Sequence, residues 1–131
     1  MSLKKLIDDL QAARGPSRQL DVDIALEMGY KRKEPETIRG PDGSPIKRHL
    51  WLVPTGEDVD RVPYYTTSID YACQLVRQIA PSHVGGCSWE DGAASARIDN
   101  DPYCQAATPA IALCIAALRR RLAMAEQPGS Q

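Results

Sequence analysis

Apolar residues recur every three or four positions in four stretches of the chain, a spacing that predicts four amphipathic helices. The stripes are, in chain order, Leu3, Leu6, Ile7 and Leu10; Leu20, Ile24 and Met28; Ile69, Ala72, Cys73, Val76 and Ile79; and Ile111, Cys114, Ile115, Leu118 and Leu122. The dipeptide Gly-Pro at 15–16 separates the first two helices, and Gly29 ends the second. The expected N-caps of the last three helices are Ser17, Thr67 and Thr108, the last followed by Pro109 in the first helical turn.

Shorter apolar runs predict the strands. Residues 49–53 form a buried strand, and residues 83–89 and 93–98 form a hairpin around Asp-Gly at 91–92, the preferred pair for a two-residue type I′ turn. Gly-Gly at 85–86 indicates a bulge or the close approach of another backbone or a ligand. The following DNDPYCQAA segment is expected to form a loop. The order α-α-β-α-β-β-α predicts an α+β fold with a small, mostly antiparallel sheet.

Residues 31–48 form a charged segment rich in Pro and Gly, for which a loop and a hairpin insertion are both open. Its basic residues are Lys31, Arg32, Lys33, Arg39, Lys47 and Arg48. The chain is long enough to bury one core, so residues 1–126 are expected to form a single domain. Residues 127–131 are expected to be a disordered tail.

Charge is nearly balanced, with 16 basic and 17 acidic residues among 131, so the summed charge does not attract phosphate backbones and nucleic-acid binding would need a local patch. The arginines at 119–121 advance about 100° each along the last helix and cannot form one basic surface. Their place suits the negative end of the helix dipole. The longest apolar run, residues 110–118, is about half of the roughly 20 residues of a membrane span. No signal peptide is readable, so we expect a cytoplasmic protein with reduced cysteines.

Three segments carry a family resemblance: GPSRQLDVDIALEMGY, VPYYTTSIDYACQLV and ATPAIALCIAALRRRLA. In this order and spacing they resemble the small bacteriophage and prophage proteins of the phage ABA-sandwich domain family, over residues 6–123. The resemblance implies a three-layer α/β/α sandwich with the sheet between helical layers. It implies no catalytic residue, because no activity is established for that family. Residues 31–61 are longer and more charged here than in many relatives, so the resemblance implies nothing about their role.

Candidate catalytic chemistry is sparse. The cysteines include no C-x-x-C pair and the two histidines lie in separate elements, so no metal site and no cofactor are expected. Cys87 or Cys104 with His83 is a candidate nucleophile and base. Asp99 and Asp101 offer two carboxylates to a small hydrolase. The structural alternatives are thiols packed in the core and carboxylates that stabilise a turn.

Aromatic and arginine side chains near strand ends are candidates for a binding surface. They are Tyr64, Tyr65, Trp89, Arg97 and Tyr103. Because the chain has no Phe, each is also a candidate lid over the core. We expect a non-catalytic phage or prophage accessory protein that binds a macromolecular partner or a small polar ligand. The phage setting that the resemblance implies would have it interfere with a host process. The alternatives are the small hydrolase and a weak nucleic-acid binder through residues 31–48.

Overall fold

The computed structural model describes residues 2–126, which contain four helices and eight strands. The helices are α1 (Leu3–Ala12), α2 (Arg18–Glu27), α3 (Ile69–Ile79) and α4 (Pro109–Glu126). The strands are β1 (Lys31–Arg32), β2 (Glu36–Arg39), β3 (Pro45–Arg48), β4 (Trp51–Leu52), β5 (Asp58–Val59), β6 (Gly85–Glu90), β7 (Ala93–Ile98) and β8 (Cys104–Ala106). Every strand pair in this range is antiparallel, so the α+β class is confirmed. The tail predicted for 127–131 lies outside the described residues.

Helix α4 is the centre of the core. All of residues 110–118 are buried, because the stripe of larger apolar residues is flanked by Leu113 and by alanines that let neighbours approach closely. The expected start is confirmed: the Thr108 hydroxyl accepts a hydrogen bond from Ile111 N at 3.2 Å, and Pro109 is the first helical residue. No helix among residues 2–126 is long and apolar enough to cross a bilayer.

Because α4 is buried on all sides, the other elements are arranged around it. Helices α1 and α3 pack against α4, and the sheet β6-β7-β8 packs against α4 as well. Along β7, Ala94, Ala96 and Ile98 are buried, whereas Ser95 and Arg97 are only half-buried, so the strand has one core face and one outer face. The resemblance implied a sheet between helical layers. In the described residues α4 is the middle layer instead, because an alternating strand needs cover on one face only.

The hairpin of β6 and β7 forms as predicted, with Glu90 opposite Ala93 across the two-residue turn. The pairing of β6 with β7 contains no bulge, so the bulge predicted as one explanation of Gly85-Gly86 is absent. The other explanation, close approach of a neighbouring backbone, fits Gly85, where an added Cβ would lie 2.9 Å from the Arg97 carbonyl oxygen. The segment after β7 is predicted to be a loop throughout. This prediction is wrong for its last residues, because Cys104–Ala106 form β8, which pairs with β7. Three residues are too few to show a period of two in the sequence.

The charged segment forms a hairpin of β2 and β3, which we call the arm (residues 36–48). The arm rises from a small sheet of order β1-β4-β5. The buried strand predicted at 49–53 is shorter than expected and half-buried, because β4 covers only two residues and pairs with equally short strands. Leu50, just before β4, is the buried residue of this run.

Two details of the helices differ from the prediction. Ser68, not Thr67, caps α3, with its hydroxyl accepting from Tyr71 N at 3.4 Å. The buried face of α3 contains Ala72, Leu75 and Ile79 rather than the whole predicted stripe, because α3 meets α4 on a face rotated from it. Ile69 is 38% exposed.

The three arginines at 119–121 diverge as expected. Arg119 lies 3.4 Å from the Cys104 sulfur, Arg120 lies 3.0 Å from an Asp101 oxygen, and Arg121 lies 3.2 Å from a Glu27 oxygen. The dipole explanation for them is wrong, because α4 continues to residue 126 and its last turn contains no basic residue. They tie α4 to three different neighbours instead.

A buried carboxylate, Asp21, joins α2 to the segment before α3. One of its oxygens accepts hydrogen bonds from the backbone N and the hydroxyl of Thr66, both at 2.8 Å, and the other lies 2.8 Å from Arg18. Arg18 also donates to the Val62 carbonyl at 3.0 Å and stacks 4.0 Å from the centre of the Tyr64 ring. We call this network the Asp21 clasp. It lies in two of the segments that carry the family resemblance, so those segments have a structural role here.

Replacing Asp21 tests the clasp. Asp21→Ala leaves the buried Thr66 N–H without its partner and removes the Arg18 pair, so we expect the free energy of unfolding to fall by about 3 kcal/mol. Asp23→Ala, two residues away, removes only an exposed contact with Gln19. It should change the free energy of unfolding by less than about 0.5 kcal/mol. Urea denaturation of both variants measures the difference, and equal losses would contradict the role assigned to the clasp.

Candidate functional site

The five predicted binding residues do not form one surface. Tyr65 is 2% exposed, so its prediction as a surface residue is wrong. Its backbone carbonyl accepts a hydrogen bond from the Cys114 thiol in the core, and burial raises the pKa of its phenol. Because the chain has no Phe, the ring of Tyr65 takes the place in the core that a large aromatic side chain fills. Tyr64 is half-buried and belongs to the Asp21 clasp.

Arg97 and Tyr103 do come together. The Arg97 guanidinium carbon lies 4.9 Å from the centre of the Tyr103 ring, and its NH1 donates to the Tyr103 hydroxyl at 3.4 Å. NH2 lies 3.5 Å from the Asn100 side-chain oxygen. The buried Nε has no hydrogen-bond partner within residues 2–126. This pair occupies the outer face of the sheet, the face turned away from α4.

A cleft of about 420 Å³ adjoins this pair. Its lining includes the hydroxyls of Ser88 and Ser95, which lie 3.1 Å apart on neighbouring strands, and Asp99 at its end. No side chain rises from Gly86, which lies directly opposite Arg97 in the register. A guanidinium and two hydroxyls are groups that hold a carboxylate or phosphate, although the cleft is shallow and open and the Arg97 Nε itself is buried.

Trp89 lies apart from Arg97 and Tyr103. It pairs with Ala94, which faces α4, so the two side chains share the inner side of the sheet rather than the outer side. The Trp89 side chain is nevertheless 66% exposed, because it stands at the turn end of β6 where the core stops. The structure therefore brings together two of the five predicted residues.

The carboxylates of the hydrolase hypothesis lie in a cluster of ion pairs. Asp99 interacts with His83 and lies 3.4 Å from Arg120, whose Nε lies 3.0 Å from Asp101. The other Asp99 oxygen accepts from Val84 N at 3.2 Å, and Asp99 has a φ of 49°, a conformation that Asp tolerates better than most residues. Sequence reasoning found the aspartates but missed His83 and Arg120 as their partners, because the pairing spans two strands and α4.

These contacts favour a structural role. General acid or base catalysis needs a carboxyl oxygen within reach of a substrate, and both oxygens of Asp99 already have partners in the chain. The cluster fixes the turn after β7 against α4 through Arg120. Within residues 2–126, no group of three or more His, Cys, Asp and Glu side chains is arranged to hold a metal ion.

The cysteine hypothesis has little support in the environment of the thiols. Burial raises the pKa of Cys104, and the nearby Arg119 offsets that effect only in part. Burial also raises the pKa of Cys87, with a smaller contribution from Cys73. A nucleophilic cysteine needs a lowered pKa, because the thiolate is the reactive form.

The arm is the most exposed part of the described chain. All eight residues of its two strands are exposed, and the strands make their main contacts with each other. Because opposed residues share a face, one face carries Thr37, Arg39, Pro45 and Lys47, and the other carries Glu36, Ile38, Ile46 and Arg48. The first face is basic, and the second has an isoleucine pair at its centre, 40% and 44% exposed.

At the base of the arm, two of the three basic residues at 31–33 have partners within the chain. Arg32 lies 4.9 Å from the centre of the Trp51 ring, and the Lys33 ammonium lies 2.7 Å from an Asp58 oxygen. The hydrogen bond to Asp58 raises the pKa of Lys33, which stays charged. These contacts anchor the arm and leave its own strands free of any helix.

Alkylation of Cys87 tests the thiol environment. Because its pKa is raised, a smaller fraction is thiolate at about pH 7, so iodoacetamide should modify Cys87 several-fold more slowly in the folded chain than in urea. The difference in rate should narrow as the pH rises above the ordinary pKa of a thiol, about 8.5, because the folded thiol then ionises as well. Peptide mass mapping separates Cys87 from the other cysteines. Faster alkylation in the folded chain would instead indicate an activated thiol.

Comparison of the chain with protein-family models, curated proteins and solved structures finds no match. The resemblance to the phage ABA-sandwich domain family therefore stays a prediction that rests on the three sequence segments.

Proposed function

We propose that the chain is a non-catalytic binding protein whose partner is a protein that docks on the arm. The observation that carries this proposal is the exposed pair of Ile38 and Ile46 at the centre of a hairpin that packs on no helix. An isolated two-stranded hairpin is marginally stable in water, and this one contributes nothing to the core. A partner that covers the isoleucines would supply the apolar contact that the chain itself does not.

The two faces of the arm indicate the chemistry of the partner. The isoleucine pair suits an apolar patch, and Arg39 and Lys47 on the opposite face suit acidic groups beside it. Nucleic acid has less support, because Arg32 and Lys33 have partners within the chain and the summed charge is −1. The resemblance to phage proteins would make the partner a component of the host cell.

Substitutions on the arm test this proposal. Ile38→Ser with Ile46→Ser should abolish capture of a partner from a nuclease-treated host extract, because it removes the apolar contact. The stability of the chain should change by less than about 0.5 kcal/mol, since neither residue packs in the core. Quantitative mass spectrometry of captured proteins, with purified partner titrated afterwards, measures the effect.

Leu26→Ser is the matched control, because Leu26 is 40% exposed, as is Ile38, but lies on α2. It should leave capture unchanged. If the arm variant and the wild-type chain capture the same proteins with the same affinity, the proposal fails. Retention of the wild-type chain on heparin at low salt, lost after Arg39→Ser with Lys47→Ser, would point to nucleic acid instead.

A second candidate is a small anionic ligand in the cleft beside Arg97, favoured by the guanidinium of that residue and the hydroxyls of Ser88 and Ser95, which line the cleft together. Native mass spectrometry of the protein purified from cells would show such a ligand as added mass. Arg97→Lys should then weaken its retention, since an ammonium cannot bind a carboxylate through two parallel hydrogen bonds.

A further inference from the structure

Strand β6 is a free edge of its sheet. The strand order β6-β7-β8 puts it at one end, and within residues 2–126 no backbone hydrogen bond reaches its outer side. Natural edge strands are protected by Lys, Pro, bulges or short length. Strand β6 runs for six residues, GGCSWE, without Lys, Pro or a bulge, so it is open to pairing with another strand.

The backbone groups that face outward are fixed by the hairpin register. Asp99 N donates to the Val84 carbonyl at 2.8 Å, so this pair is hydrogen-bonded across the hairpin. Hydrogen-bonded and non-hydrogen-bonded pairs alternate along an antiparallel ladder. The N–H and C=O groups of Gly85, Cys87 and Trp89 therefore point away from β7, towards the free edge.

We propose that the occupant of this edge is a second copy of the chain, whose β6 pairs antiparallel with the first to give a continuous six-stranded sheet. Two-fold symmetry perpendicular to the sheet requires a residue to lie opposite its own copy. With Cys87 at that point, Gly85 lies opposite Trp89 of the other copy. All three outward residues then join hydrogen-bonded pairs, which gives about six backbone hydrogen bonds.

The side chains in this register are complementary. Gly85 has no side chain, so the indole of the opposing Trp89 can lie over it, as aromatic residues do over glycine on neighbouring strands. Just beyond the strand ends, acidic Asp91 comes opposite His83 of the other copy, whose side chain is 41% exposed. Like charges do not meet along the edge.

Exposed apolar groups surround the same edge. Val84 is 76% exposed at one end of β6, and Trp89 is exposed at the other. A second copy would cover both residues.

Sedimentation equilibrium at high micromolar concentration tests the proposal. The wild-type chain should have twice its monomer mass of 14.4 kDa. Trp89→Lys puts a charge beside the pairing strand and removes the indole, so it should give a monomer. Leu26→Lys is the matched control, because Leu26 is 40% exposed and lies on α2, away from the edge; it should stay dimeric.

Two further measurements guard against a variant that fails to fold. Cys87→Pro removes an N–H that points to the edge and none that bonds β7, so it should give a folded monomer. Hydrogen exchange of the wild-type chain needs no substitution: protection of the Gly85, Cys87 and Trp89 amides should increase with protein concentration. A monomeric wild-type chain, a Trp89→Lys dimer as stable as the Leu26→Lys dimer, or exchange independent of concentration would overturn the proposal.

Discussion

Helix α4 is apolar on all sides over residues 110–118, and it has to be covered on all sides. The chain meets this constraint with α1 and α3 on one side and the sheet β6-β7-β8 on the other. Each covering element is amphipathic and turns its apolar side towards α4. The outer face of the sheet, the free edge of β6 and the arm are then left to solvent, and the binding surfaces proposed for residues 2–126 lie there.

The conspicuous polar residues of the chain divide into two groups once their contacts are known. Asp99 and Asp101 pair with Arg120 of α4, and Asp21 accepts hydrogen bonds from Thr66, so all three carboxylates join separate parts of the fold. The thiols of Cys87 and Cys104 have raised pKa values because of burial. The exposed isoleucine pair of the arm and the exposed Val84 and Trp89 at β6 are side chains of the kind that a protein partner covers.

Helix positions, two N-caps and the Asp-Gly hairpin turn could be predicted from the sequence because each depends on residues within one turn or one hairpin. Ser17 and Thr108 cap their helices by hydrogen bonds to residues three positions on. The cap of α3 was misplaced by one residue because Thr67 and Ser68 are both capable caps. Strand β8 and the short strands β1 and β5 could not be predicted, because two or three residues show no periodicity and pair only through contacts distant in the chain.

The sequence by itself determined the α+β class, the central apolar helix and the divergence of the three arginines, since these follow from local periodicity. Only the tertiary structure decided which predicted binding residues are accessible. Tyr64 and Tyr65 are neighbours in sequence, yet one stacks on Arg18 and the other is buried against α4. Arg97 and Tyr103 meet because a turn reverses the chain between them. Whether a side chain is exposed, and whether two side chains meet, depends on which helices and strands pack together. That packing is stabilised by contacts between residues far apart in the chain, which a local sequence pattern does not show.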